Sequence, residues 1–357
     1  MSDHGPAIML TGVGKRYDIV ACFARLTRTI AVDPNPLAPA RYAADVRASA
    51  PAFDDPGYVP ALERLCAEHD VRAVLPLTDL DIEILATARL EGRLPALVPA
   101  PEIAAATFDK YRAHELFLEL GLPSPPTALP EAGAGTIPPP VVVKPRRGSG
   151  GRSIHLARSA EEASFFVTYL ERPEQTAPGE RPHNPDVSSP PGEPVMIQRA
   201  MRGPELSIDC LGDWDGRCLN AIPRTMLESR GGESIKGTVV DDPELVELGR
   251  SAMEALRVAG PATIQVFRDP EVGIAITDLN TRFGGAFPGP AYAALPGRSY
   301  PELIVRLAAG ERPEPHVGEY SSPVTFTRYY WQLELDGELQ PTGRELVPGG
   351  PPTPRRG

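Results

Sequence analysis

The chain has 357 residues, 41% of them hydrophobic and 23% charged, with a formal net charge of −11. That is ordinary for a globular protein with about two or three cores, and the acidic balance argues against a protein that coats nucleic acid, whose phosphates are gripped by clustered Lys and Arg. No apolar run reaches membrane-spanning length and no basic stretch leads into an apolar one near the N-terminus, so no membrane partner and a cytoplasmic location are expected.

Residues 7–11 read as a short apolar strand, Gly12-Val13-Gly14 as the turn after it, 18–26 as a helix and 29–32 as a strand ending at Asp33. That order is the βαβ unit of a doubly wound domain. Lys15-Arg16-Tyr17 stands where a dinucleotide fingerprint places its third glycine, so the turn reads as a tight connection rather than a dinucleotide site. Residues 58–68 have helical spacing, 71–77 form the next buried strand, and Asp79 and Asp81 open a helix through Ala88, where they suit its dipole. A strand at 97–98 is expected to close an N-terminal domain, 1–100. A helix over 103–120 stops at Gly121 and carries Lys110, by itself a solvated residue. With the Pro- and Gly-rich stretch 123–140 it makes a helical linker, 101–140.

The next unit, 141–200, opens on a strand, 141–145, with Lys144 near its end. A basic, glycine-rich turn follows, Arg146-Arg147-Gly148-Ser149-Gly150-Gly151-Arg152-Ser153, and a strand returns over 154–157. Glycines there let backbone N–H groups lie against phosphates, and the cations supply counter-charge. The turn fits neither the phosphate loop that opens a helix nor the kinase pattern, and an exposed hairpin tip is the plain alternative. Residues 160–170 form a helix, and 172–194, rich in Pro, Ser, Glu and Gly, reads as a mobile insertion. A strand at 195–198 breaks over 199–203, and Glu205 begins another running to 211. Residues 218–222 pair back across a turn at 213–216.

The unit 201–337 holds the segment on which the chemistry is expected to rest. Residues 224–236 read as a solvated loop whose cations, Arg224, Arg230 and Lys236, suggest an anionic group nearby, and a helix over 243–259 leads on. Strands at 262–267 and 274–280 look like a hairpin, with Gln265 inside an apolar run and in need of a polar neighbour. Strand side chains alternate, so Asp278, Asn280 and Arg282 should face one way. A carboxylate and an amide oxygen suit a hard cation shared with phosphates, and the guanidinium suits charge on a transferring phosphoryl group. Gly284 and Gly285 follow as a turn, and the alternative is a strand running out into a loop with no such role. A helix at 300–308, a strand at 324–333 and a Pro/Gly-rich, disordered tail at 338–357 complete the chain. Cys22, Cys66, Cys210 and Cys218 form no CxxC pair and are expected to be buried, reduced thiols.

In this order the motifs over roughly residues 7–295 resemble the ATP-grasp superfamily, in the branch that looks like the ATP-binding halves of the carbamoyl-phosphate synthetase large chain. The resemblance implies an α/β, Rossmann-like domain followed by a two-subdomain α+β ATP-grasp fold that closes on ATP. It implies Lys110 and Lys144 as phosphate contacts, and Gly148, Ser149, Gly150 and Gly151 as the flap. Gln198, Arg199 and Met201 would lie in the adenine hinge, and Glu205 on the ribose. Gln265, Asp278 and Asn280 would hold Mg²⁺, with Mn²⁺ as an alternative, while Arg282 sits beside an acyl phosphate and Lys236 joins it as a catalytic cation. The family usually has Glu where Asp278 stands, Arg199 replaces a commonly acidic residue, and the insertion has no placed counterpart.

The implied activity is an ADP-forming ligase that joins a small carboxylic acid to an amine, or another nucleophile, through an acyl phosphate. Two alternatives stand beside it: a carbamoyl-phosphate-type kinase acting on bicarbonate or carbamate, and a regulatory protein that binds ATP without using it. A homodimer is the base-rate expectation.

Overall fold

Three sheets carry the chain, and the placement of each follows from where its apolar residues fall. The computed structural model describes residues 5–133, 135–148, 153–171, 194–230, 233–329 and 331–344. The first sheet is parallel, ordered β3-β2-β1-β4. It comprises β1 (Ala7–Thr11), β2 (Thr29–Val32), β3 (Val46–Ala48) and β4 (Val71–Pro76), with helices α1 (Tyr17–Ala24), α2 (Tyr58–His69) and α3 (Ile82–Leu90). β1 and β2 are buried along their whole length, as strands of a sheet covered on both faces must be. The turn after β1 needs glycine: Gly12 has φ +56°, and a Cβ there would lie 2.4 Å from Thr78 Cγ2. Asp33 Oδ2 accepts from Gly14 N at 2.8 Å, so the acid at the end of β2 is engaged within the turn.

Two expectations change next. The strand at 97–98 is reduced to a single bridge between Val74 and Ala96, where Pro95 and Pro99 supply no N–H to extend a ladder. The one helix over 103–120 is two, α4 (Pro101–Phe108) and α5 (Lys110–Glu119). Asp109 breaks them at φ −103°, ψ 107°, because its carboxylate caps α5 by accepting from Tyr111 N and Arg112 N.

The second sheet is small and antiparallel, ordered β5-β8-β6-β7, from β5 (Thr127–Ala128), β6 (Val141–Pro145), β7 (His155–Ala157) and β8 (Val195–Arg199), with α6 (Ala160–Leu170) on it. Val141, Val143, Ala163, Val195 and Ile197 belong to a separate core of its own.

The third sheet follows, ordered β11-β12-β10-β9-β13-β14 with β15 paired to β12. Its strands are β9 (Glu205–Gly212), β10 (Cys218–Thr225), β11 (Glu228–Arg230), β12 (Glu233–Val239), β13 (Gly260–Asp269), β14 (Gly273–Asn280) and β15 (Val324–Thr327). Helices α7 (Pro243–Ala255), α8 (Pro288–Ala293) and α9 (Tyr300–Ala308) accompany them. Leu206, Ile208 and Cys210 alternate out of β9 into a core shared with Ala262, Ile264, Val266, Leu279 and α7. The intervening residues, Glu205, Ser207 and Asp209, therefore face the other way. One face is thus apolar, and the other is polar at Glu205, Ser207 and Asp209 but apolar where Leu211 and Ile222 pack against the N-terminal sheet.

The solvated loop expected over 224–236 is mostly strand. Glu228 and Lys236 pair across β11 and β12, and β12 is held on its other side by β15, so cross-strand partners outweigh a polar composition. The strand expected over 324–333 stops at Thr327. Residues 338–344, expected to belong to a disordered tail, make local contacts: Asp336 Oδ1 accepts from Glu338 N and Gln340 N at 2.9 Å each, and Leu335 bridges Pro341. Residues 345–357 and 172–193 lie outside the described residues. All four cysteines are free thiols; Cys210 and Cys218 are buried, while Cys22 and Cys66 are only half-buried.

Candidate active site

The polar stretch of the third sheet gathers several of the side chains expected at the site, row by row. Register pairs Ser207 with Gln265 and Gln265 with Asp278, and in the next row Asp209 with Thr263 and Thr263 with Asn280. Paired residues of an antiparallel sheet share a face, so Gln265, Asp278 and Asn280 are brought together as expected. Asn280 Nδ2 donates to Asp278 Oδ2 at 3.2 Å, which leaves its amide oxygen as the atom to offer a cation. β14 ends at Asn280. Arg282 lies beyond it, held by Asp79 Oδ2 at 2.7 Å and by Phe283 O at 3.0 Å. Asp79, just before α3, is also the N-terminal domain's grip on Arg282. Asp81 is the N-cap residue of α3 as expected, but its buried carboxylate makes no cap bond and instead accepts from Tyr58 Oη at 2.7 Å.

Two lysines approach this face, one from α5, which packs on the large sheet, and one from the small sheet. Lys110, the first residue of α5, reaches Asp278 Oδ1 at 4.0 Å and donates to Gly148 O at 2.7 Å. Lys144, on β6, is buried and donates to Gln198 Oε1 at 3.0 Å, while Gln198 Nε2 donates to Thr127 Oγ1 at 3.0 Å. Burial pushes the Lys144 ammonium down to about 8; Asp278 and Glu205 pull it up, and Lys110 pushes it further down. Glu205, on β9, is raised by burial first; Arg224 and Lys144 draw it down and Asp278 pushes it up. These mutual influences place Lys110, Lys144, Glu205 and Asp278 around one volume.

The chain crosses from the small sheet to the large one over 200–204. Gly203, at φ +112°, passes so close that a Cβ would lie 2.2 Å from Arg268 O. Arg202 N donates to Asp269 Oδ2 at 2.6 Å, and both Arg199 and Arg202 pair with Glu271. The side chain of Gln198 holds Lys144, and the N–H groups of Arg199 and Ala200 donate to Pro126 O and Pro140 O at 2.9 and 3.0 Å, so of the expected hinge N–H groups only that of Met201 has no such bond among the described residues. Lys236 is not brought to the lysine–aspartate group: it pairs with Glu228 at 2.5 Å, and β12 lies four strand steps from β14, roughly 19 Å at ~4.8 Å a step. Of the flap, Gly148 is described with φ +105°; Ser149, Gly150 and Gly151 lie outside the described residues. So does the side chain of Arg230.

Three features escaped the sequence reading. Arg146 forks onto Asp109 with bonds of 3.0 and 2.7 Å, and its carbonyl accepts from Lys110 N at 2.8 Å, so the flap's base is tied to the start of α5. Asp79 binds Arg282. Arg224, expected in solvent, is buried and paired with Asp209 at 2.6 Å. The alternation Glu205, Ser207, Asp209 within apolar neighbours was the signal for the last.

Among the described residues no three His, Cys, Asp or Glu side chains cluster to form a metal cage. One carboxylate with two amide oxygens suits Mg²⁺, which keeps waters and shares phosphate oxygens rather than taking an all-protein shell. The donor set fits that ion.

Residues 8–93 match a family model described as the PylC-like N-terminal domain, and 192–329 match one described as ATP-grasp in the biosynthetic pathway with Ter operon. A carbamoyl-phosphate synthase of Methanobrevibacter smithii is 28% identical over 160 residues, 42% of this chain and 38% of that protein, so the match spans well under half the relative's length. The biotin carboxylase domain of Hydrogenobacter thermophilus 2-oxoglutarate carboxylase, solved with MgADP and bicarbonate, is similar in fold at TM-score 0.65 and 19% identity, over 87% of this chain and 71% of that one. An L-amino acid ligase from Bacillus licheniformis is similar at TM-score 0.64 and 15% identity, over 90% of this chain and 76% of its own.

Proposed function

We propose that this chain, whose residues 192–329 match an ATP-grasp family model, is an ADP-forming ligase that activates a carboxylate with ATP and passes the acyl group to an amine. One observation carries the reading. Lys110, from α5, lies with its Nζ 4.0 Å from Asp278 Oδ1, and Lys144, from the small sheet, is near enough to feel the charge of the same carboxylate. A triphosphate laid among them meets both ammonium groups and oxygen donors for its cation. Asp278 and Asn280, with Gln265 beside them, would hold Mg²⁺, which neutralises phosphate charge when bound.

The chain's own residues then do the positioning that phosphoryl transfer requires. Glu205 takes the ribose hydroxyls and the 199–201 backbone the adenine edge. An oxygen of the substrate carboxylate attacks the γ-phosphorus, the bond to the β-phosphate oxygen breaks and ADP departs. Arg282, fixed by Asp79, faces the charge on the resulting acyl phosphate. The amine nitrogen then attacks the acyl carbon, loses a proton and releases phosphate. Lys110, bonded to Gly148 O, links the base of the glycine-rich turn to the phosphates.

The M. smithii relative favours a second reading, a carbamoyl-phosphate-type kinase that phosphorylates bicarbonate or carbamate. A screen of ADP release with small carboxylic acids paired with amino acids and simple amines, followed by mass spectrometry, decides between them. Release requiring an organic acid and yielding an amide supports the ligase. Release with bicarbonate alone supports the kinase, and release with none refutes both.

A further inference from the structure

Arg224 carries a charge that the protein only half answers. It sits on β10 with its side chain 2% exposed and gives its Nε–H to Asp209 Oδ2 at 2.6 Å. The other oxygen of that carboxylate accepts from Thr263 Oγ1 at 2.7 Å. Arg224 Nη1 is shut away from solvent and has no hydrogen-bond partner. Buried donors are almost always paired, and a guanidinium N–H left open on a polar sheet face is a vacancy for an acceptor. Glu205 feels the field of the arginine, yet no bond joins it to Nη1.

We propose that Arg224 is a specificity-determining anchor for a second acidic group, carboxylate or phosphate, on the acid that is activated. The inference rests on the ligase reading and narrows its substrate to acids bearing at least two anionic groups. Position separates this anchor from the triphosphate. β10 is three strand steps from β14, roughly 14 Å at ~4.8 Å a step, which is farther than an arginine reaches. Lys110 and Lys144 already face Asp278, so Arg224 is left for the end of the substrate remote from the reacting carboxylate. Gly284 fixes the neighbourhood: a Cβ there would lie 2.4 Å from Thr263 Oγ1 and 3.0 Å from Asp209 Oδ1, so the loop carrying Arg282 rests directly on this charge pair. The two guanidinium groups thus flank one stretch of the polar face, and a short acid charged at both ends would span them.

The test is calorimetric titration of the full chain, saturated with MgADP, with succinate, phosphoglycolate and propionate. At least one of the two dianions should bind the wild type about 10-fold or more tighter than propionate, and which one does so separates carboxylate from phosphate. Arg224→Lys keeps a cation against Asp209 but loses the forked second donor, and should cut the dianion-over-propionate ratio by about 10-fold or more. The double variant Arg224→Met with Asp209→Asn removes the pair together and should abolish the preference without leaving a lone buried carboxylate; thermal melts confirm that each variant is folded. No preference in the wild type, or an unchanged preference in a folded variant, overturns the proposal. Weakened ADP binding with unchanged acid preference also overturns it, by assigning Arg224 to the nucleotide. An Arg224-dependent preference for dianions without ADP release from any acid would sink the ligase reading and spare the anion site.

Discussion

The small sheet and the rest of the molecule are held together by different forces. The N-terminal sheet and the large sheet share one core, in which Ile8, Leu10, Phe23 and Leu75 pack with Leu211, Leu219, Ile222 and Phe283. Phe23 meets Phe283 edge-on with centroids 6.2 Å apart, and buried Arg16 donates to Gly284 O at 2.9 Å. The small sheet keeps its own core and meets the body through polar contacts: Arg146 with Asp109, Lys110 with Gly148, and Arg199 and Arg202 with Glu271. Apolar burial fixes position, whereas partly exposed ion pairs are individually weak, and a polar interface between lobes permits relative motion. On the proposed reading the body presents a fixed row of donors, and the small lobe brings Lys144 to it.

Substitutions on the two sides should differ in kind. Lys144→Ala, which removes the small lobe's buried cation, should weaken ATP binding by about 10- to 100-fold in a fluorescence or calorimetric titration; unchanged affinity removes Lys144 from the site. The same group gives a pH signature. Its folded value, about 8, lies below the ordinary 10.5, so the unfolded chain binds more protons between those values. Stability contributed by this site therefore rises with pH across the window, because folding no longer has to bury a charged ammonium once the amine has lost its proton. Nucleotide affinity runs the other way and should fall as pH passes about 8, whereas Lys144→Arg should flatten that fall.

On the body side, Gly284→Ala should cost about 1–3 kcal/mol and lower the melting temperature, since its Cβ would press on Thr263 and Asp209. A melt identical to the wild type would mean that the loop is not seated on the sheet. The smallest effect is expected at the seam. Arg199→Ala removes a partly exposed pair with Glu271 and should change stability by less than about 1 kcal/mol. A larger loss would show that the lobes are locked together rather than lightly tied.

What was legible in the sequence follows the same division. The hairpin with Gln265, Asp278 and Asn280 could be read because strand periodicity is local and fixes which side chains share a face. So could Lys144 and the break before Glu205. Contacts that depend on long-range closure could not. Asp79 and Arg282 lie 203 residues apart in sequence and meet only because the N-terminal sheet docks on the large one. Arg224 looked solvated because its neighbours are polar, yet the ladder from β9 to β10 carries it onto the buried face beside Asp209. Lys236 lies too far across the sheet to join Asp278, since the cations of a polar run were given one destination when strand order gives them several. Asp109 shows the competition within one residue: helical periodicity ran through it, and its capping carboxylate stopped the helix so that Lys110 begins the next.

The central claim is that Asp278 and its neighbours on the polar face hold Mg²⁺ against the triphosphate carried in by the two lysines. The direct measurement is ATP affinity as a function of Mg²⁺ concentration, for the wild type and for Asp278→Ala. The account predicts that Mg²⁺ tightens ATP binding to the wild type, and that the variant binds ATP with no such dependence and turns over no ADP. Equal Mg²⁺ dependence in the two proteins, or full turnover in the variant, would contradict it.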